Sequence, residues 1–377
     1  MDTFWRHWFA AAALAAATLP AFAQAGVSDN RILIGQTVGL TGIVAGPVKE
    51  FNQGVDAYLK QVNAQGGVHG RRIEMTLLDD KFDPALTLKN AEQLIRKEGV
   101  FMLFGGRGTP HTTRILPLLA EQKVPLLAPT TGAKVFHEPV HPMVFNVKAM
   151  YQDEVAKAVE HFATVGITSI SLLYVDDAFG KDGLEGFTKA MAARKLEPTA
   201  ITSFARVDPD YAAAARAVIR PDPGALIVVS SAKNTASAIK AIRAEGGRMQ
   251  IMTLSNNSSE SFLEDLGPAG VGVILSQITP APHLASTPLG QEFQELAKRE
   301  GVTVSYSAME GFVNAKVLVE GLRRAGRKLT REGFVHALES MQRVDFGGIM
   351  VTYGPNDHSG SEFVELTMIG KNGRIIR

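Results

Sequence analysis

The chain of 377 residues has no cysteine, and that absence closes several routes at once. Disulfides, thiolate metal sites, cysteine nucleophiles and a lipid anchor on an N-terminal cysteine are all excluded. Tryptophan is nearly missing too, since the only two, Trp5 and Trp8, stand at the very start. Neither sign of charge dominates. Lysine and arginine number 39 against 38 acidic residues, a net +1 that argues against broad nucleic-acid binding, which needs a strong basic excess. No apolar run reaches the roughly 20 residues that span a bilayer.

What is present begins with the first residues. Arg6 and His7 precede an apolar run from Trp8 to Leu19, and Ala21-Phe22-Ala23 supplies the small residues a signal peptidase reads. That order predicts a secretory signal peptide over 1–23, leaving a soluble, unanchored protein in the periplasm. Cleavage would remove Asp2 and Arg6, one charge of each sign, and both tryptophans. The mature protein is therefore expected to lack indole emission. About 350 remaining residues suffice for two ordinary domains with full cores.

From Arg31 onward short aliphatic runs alternate with stretches rich in Ala, Leu, Lys and Glu. Strands are expected at Ile32–Ile34, Ile73–Leu78, Val100–Phe104 and Pro125–Ala128, with helices at Val48–Ala64, Ala85–Lys97 and Thr112–Gln122. The rhythm restarts after Val147, with strands at Ser169–Tyr174, Ala200–Phe204, Ala225–Val229 and Gln250–Thr253. Helices fit Gln152–Thr164, Asp182–Arg194, Tyr211–Ile219 and Thr235–Ala244 between them. Such alternation predicts βαβ units and parallel sheets covered on both faces, here in two doubly wound α/β lobes. The tail predicts three helices, Leu289–Glu300, Ala308–Ala325 and Arg331–Ser340. Two strands follow, Gly347–Tyr353 and Phe363–Ile369, around a turn-rich stretch from Gly354 to Gly360.

Four segments invite chemistry. His137-Glu138-Pro139-Val140-His141 spells a zinc-protease motif, but Pro139 and Pro142 deny it the continuous helix that would align the two imidazoles, so the motif is set aside. Gly105-Gly106-Arg107-Gly108-Thr109-Pro110 follows a strand and opens a helix. It is not a dinucleotide fingerprint, yet its small residues, free helix-end amides and Thr109 hydroxyl suit an anion. Thr130-Thr131-Gly132 follows the next strand and should supply donors at the same sheet edge. Ordinary capping by Thr109 and a turn at Gly132 are the competing explanations. Asp79-Asp80 and Asp176-Asp177 end strands and read as turn and capping groups rather than catalytic pairs. No G-x-S-x-G elbow is present.

In order, these pieces resemble the type I periplasmic binding proteins of ABC transporters, in the leucine/isoleucine/valine-binding branch, over essentially the whole mature chain. The marks are Ile34-Gly35 through Leu40-Thr41-Gly42, Val62-Asn63-Ala64-Gln65-Gly66-Gly67-Val68-His69-Gly70-Arg71, and Leu78-Asp79-Asp80 with Asp83-Pro84. Val124 to Gly132, Asp177-Ala178-Phe179-Gly180, Glu310-Gly311-Phe312 and the run from Gly347-Gly348 to Gly354-Pro355 complete them. The resemblance implies a Venus-flytrap of two lobes joined by three crossings and closing on a ligand by a hinge. Lobe 1 is expected over 29–147 plus about 280–345, and lobe 2 over 148–279 plus about 346–377.

The resemblance also assigns residues. Thr109 stands where amino-acid-binding members hold the ligand carboxylate, and Thr130 and Gly132 where further donors reach it, with Gly108 and Thr131 beside them. Gly132 replaces a threonine, so only its backbone N–H serves. Phe179 matches an aromatic that closes over the ligand from the second lobe. Ser255, with Asn256 beside it, stands where such relatives place a glutamate for the ligand ammonium, unless Glu260 or Glu310 takes that part. If the carboxylate is lost, the ligand is an aromatic or short organic acid rather than an amino acid. Arg107, at a position small or apolar in relatives, either brings a cation to the cleft or is an exposed turn residue.

The expectation is a monomeric, non-enzymatic solute-binding protein that delivers a small carboxylate-bearing ligand to an ABC permease. It has no cofactor, no metal and no nucleic-acid partner. An exported α/β enzyme using the interlobe cleft, or a receptor subunit reporting to a sensor, are the alternatives.

Overall fold

The computed structural model describes residues 24–376; the expected signal peptide lies outside them. The first half of the chain builds β1 (Arg31–Val38), α1 (Ala45–Ala64), β2 (Arg72–Asp79), α2 (Pro84–Arg96), β3 (Met102–Phe104), α3 (Thr109–Gln122), β4 (Leu126–Leu127) and β5 (Val144–Phe145). These strands form one sheet in the order β2-β1-β3-β4-β5, parallel throughout. Central strands are apolar on both faces, as a sheet covered on both sides requires: Met102, Leu103 and Phe104 are all buried.

The second series is α4 (Tyr151–Thr164), β6 (Ile170–Val175), α5 (Ala178–Ala193), β7 (Ala200–Phe204), α6 (Tyr211–Ile219), β8 (Ala225–Val229), α7 (Ala232–Ala244), β9 (Gln250–Thr253), α8 (Glu260–Leu266) and β10 (Ile274–Gln277). Caps fall where polar side chains allow them. Asp177 accepts from Phe179 and Gly180 N–H to start α5, and Asp210 accepts from Ala213 N–H to start α6. The chain then returns to the first lobe as α9 (Pro288–Glu300), α10 (Tyr306–Ala325) and α11 (Arg331–Glu339). It ends in β11 (Val344–Asp345), β12 (Met350–Gly354), β13 (Asp357–Gly360), β14 (Glu365–Ile369) and β15 (Ile375–Ile376). The second sheet runs β15-β14-β10-β9-β8-β6-β7, parallel except where β14 pairs antiparallel with β10 and β15.

The chain passes between the sheets after β5, after β10 and after β13. The last passage comes later than the sequence suggested. Residues 346–360, expected in the second lobe, pack with the first: Phe346, Ile349, Val351 and Tyr353 join the core made by α1, α9, α10 and α11. The Tyr353 hydroxyl donates to Asn146 O at 2.7 Å, fixing the small sheet of β11, β12 and β13 to the end of β5. Within that core α1 and α10 approach backbone to backbone. A Cβ on Gly54 would stand 1.9 Å from Ala308 O, and one on Gly311 2.0 Å from Phe51 O.

Candidate functional site

The loops after β3 and β4 meet at the edge of the first sheet. Arg107 and Thr130 form an isolated parallel bridge, with Thr130 N–H donating to Gly106 O at 2.7 Å. Gly108, at φ 95° and ψ 134°, precedes α3 and offers no side chain to cap it, so the first amides of that helix stay available. Thr109 is the first helical residue and does not act as a cap; its hydroxyl shares a 2.8 Å hydrogen bond with that of Thr131. Gly132 is no left-handed turn either. A Cβ there would come within 2.5 Å of Ala149 O and 2.9 Å of Tyr151 N, and Gly132 O accepts from Tyr151 N–H at 2.7 Å. The glycine lets the first crossover lie against this loop.

A cavity between the lobes is lined from the first by Val44, Phe82, Arg107, Gly108, Thr109 and Thr130. Tyr151, Phe179, Arg206, Ser231 and Asn256 face them. Of the residues singled out in the sequence, Arg107, Gly108, Thr109, Thr130, Phe179 and Asn256 are thus brought together, while Thr131 supports from behind. Phe179 lies on α5 with its ring 4.7 Å from that of Tyr151. Arg107 is not an exposed turn residue. It is buried, and its Nη2 donates across the cleft to Asn256 O at 2.8 Å. Burial lowers its pKa, opposed by Glu310, Tyr151 and Glu50, yet a guanidinium stays charged at any physiological pH. Among the described residues Arg107 makes no ion pair within 4 Å.

Ser255, Glu260 and Glu310 do not line the cavity. Ser255 N–H and Oγ both donate to Glu154, at 2.8 and 2.9 Å, and Ser276 Oγ donates to the same buried carboxylate. Lys148 Nζ donates to Ser255 Oγ at 3.3 Å and lies 3.9 Å from Glu310. Burial pulls the Lys148 ammonium down, but Glu310, Tyr151 and Glu154 outweigh it and leave its pKa raised. Glu260 instead opens α8, its N–H donating to Glu50 of α1. Glu154 and Glu50 are bound by protein donors, whereas Glu310 faces Lys148 at 3.9 Å with its Oε1 free of hydrogen bonds; no Asp or Glu lines the cavity.

Sequence reasoning missed Tyr151, Arg206, Phe82, Ser231 and Val44. Tyr151 follows the crossover, and Arg206 stands in the loop after β7. The space in this cavity is about 20 Å³, room for roughly one water.

The acidic pairs do structural work. Asp79 accepts from Leu40, Thr41 and Lys81 N–H, and Asp80 from Phe82 N–H and the hydroxyls of Thr37 and Thr87. Residues His137 to His141 form a turn, not a helix, and His137 is buried with neither ring nitrogen partnered. Among the described residues no cluster of histidines and acids is arranged to hold a metal ion, and no helix is long and apolar enough to cross a membrane.

Comparison with known proteins agrees with this architecture. The profile of the family described as periplasmic binding protein matches residues 31–374. The chain belongs to that family. A substrate-binding periplasmic protein from Ralstonia solanacearum is 32% identical, with a TM-score of 0.86 over 92% of this chain and 99% of that one. The Leu/Ile/Val-binding protein homolog 3 of Brucella melitensis is 20% identical over 306 residues, 81% of this chain and 82% of its own length. A branched-chain amino acid ABC transporter structure from Thermus thermophilus with bound valine shares the fold, at a TM-score of 0.82 and 18% identity over 93% and 96% of the two chains. Members of this periplasmic binding protein family are solute-binding proteins, not enzymes.

Proposed function

We propose that this periplasmic binding protein captures a small organic acid lacking an α-ammonium group between its lobes. It then presents that solute to the permease of an ABC importer, acting as a monomer in the periplasm. The observation that carries the reading is the charge of the cavity wall. Arg107 is a buried cation with no ion-pair partner among the described residues, and no carboxylate lines the same cavity. An anion there gains charge-assisted hydrogen bonds from Arg107, with the α3 amides and the Thr109 hydroxyl beside it. A buried ammonium would instead face a guanidinium and no counter-charge, a loss of about 3–5 kcal/mol against a site that pairs it.

The test is titration calorimetry of the mature protein with benzoate, a short aliphatic acid and leucine, beside mass spectrometry of whatever copurifies. Binding of the simple acids at least a hundredfold tighter than leucine is expected. Leucine binding as tightly as the acids overturns the reading. The ligand leaves unchanged, which separates capture from turnover.

A further inference from the structure

Arg107 is not the only guanidinium on the cavity; Arg206 reaches it from the opposite lobe. Its position is built rather than incidental. Asn234 Nδ2 donates to Arg206 O at 3.2 Å, and Asp177 Oδ2 takes Nε and Nη2, while Asp177 Oδ1 is occupied by the first amides of α5. The guanidinium lies 5.2 Å from the ring centre of Phe82, which itself stacks on His111 at 4.1 Å and 20°. Burial, with Arg206 nearby, lowers the His111 pKa to about 4, so no imidazolium competes for an anion at neutral pH. What remains is Arg206 Nη1, sealed from solvent and without a hydrogen-bond partner. A buried unmatched donor on a charged group is costly, and Arg206 lines the cavity with Ser231 and Asn256, whose Oγ and Oδ1 also lack partners.

We infer that Arg206 reads a second anionic group, so that the solute is a carboxylate whose flat body, held against Phe82, Tyr151 and Phe179, carries another negative group facing the second lobe. This rests on the reading of Arg107 as partner of the first carboxylate. Two guanidinia from opposite lobes would then be bridged by one doubly charged solute, which makes closure and recognition the same event. The competing account is that Arg206 is only a latch, holding the closed lobes through Phe82.

Calorimetry with the three benzenedicarboxylate isomers and with benzoate separates these. In the unsubstituted protein at least one diacid isomer is expected to bind at least tenfold tighter than benzoate. In Arg206→Gln the ratio of diacid to benzoate affinity should fall to about one, and Arg206→Lys should restore part of it. A wild-type ratio of one, or a Gln variant that weakens both ligand classes equally, overturns the second-anion site while leaving the carboxylate reading intact. Absence of any acid binding to the unsubstituted protein overturns both. If the Gln variant melts well below wild type, the Lys variant carries the test, since a point cation in place of a fork must still lower the ratio.

Discussion

Arg107 is a residue whose environment decides its meaning. On an exposed turn a guanidinium is worth little, but here its carbon stem is packed away and one nitrogen bonds Asn256 O across the cleft. Arg107→Ala is expected to weaken acid binding by about 2–3 kcal/mol, roughly 30- to 150-fold, while Arg107→Lys loses less. Titration calorimetry reads both. The buried histidines have a different consequence. His111 and His137 are each lowered to about 4, mainly by burial. Below pH 6.5 the unfolded chain takes protons at these rings that the folded chain refuses until about pH 4. Stability supplied by the pair is therefore present above pH 6.5 and lost as pH falls to 4, by on the order of 1 kcal/mol per pH unit for each ring. Denaturation curves across that window should show the slope, and His137→Phe should remove about half of it. An unchanged slope would count against burial as its cause.

At the level of elements, α1 and α10 depend on two glycines that let their backbones touch. Alanine at Gly54 or Gly311 forces a methyl into a carbonyl oxygen, and helix backbone cannot yield as a side-chain tip can. Each substitution should cost about 1–3 kcal/mol in urea unfolding, and the double variant less than the sum, because one displacement relieves both contacts. Neither glycine announced this in the sequence, where both read as ordinary helix positions. The regular elements were legible: β7, β8, β9 and α6 fall at the predicted bounds, since aliphatic runs and an Asp cap define them locally. The short strands were not. β5 has two residues, and β13 occupies Asp357–Gly360, a stretch whose composition reads as turn. Its ladder to β12 exists only because the first-lobe core holds both. Thr109, Thr130 and Phe179 could be placed from strand ends and resemblance, whereas Tyr151 and Arg206 reach the cavity only through the packing of one lobe against the other.

The whole molecule closes through contacts of unlike kinds. Glu50 on α1 accepts from Glu260 and Ser261 N–H at 2.9 Å each, and Lys134 N–H donates to Asp182 Oδ1 at 2.9 Å. Together with Arg107 and Asn256 these tie first lobe to second. Bonds made only when the lobes meet add to the affinity of any solute that needs them closed. Glu50 does not line the cavity, though its charge reaches Arg107; through the lost interlobe bonds Glu50→Gln should weaken binding by about 1 kcal/mol, roughly fivefold. Small-angle scattering should show a larger radius of gyration in that variant at subsaturating ligand. An unaltered radius with unaltered affinity would mean that this contact does not govern closure.

Tyr151 stands at once in the wall of the cavity and at the end of the first crossover, where its N–H is bound to Gly132 O. Under the proposed capture between lobes, a solute pressing on that ring would also press on the segment that joins them. Shape and jaw angle then become one variable: a thicker solute is met by a wider bite, not by a deeper hole. If the proposed acids are the cargo, two of equal affinity would leave the protein in different postures, and a partner at its outer surface would meet a different shape for each.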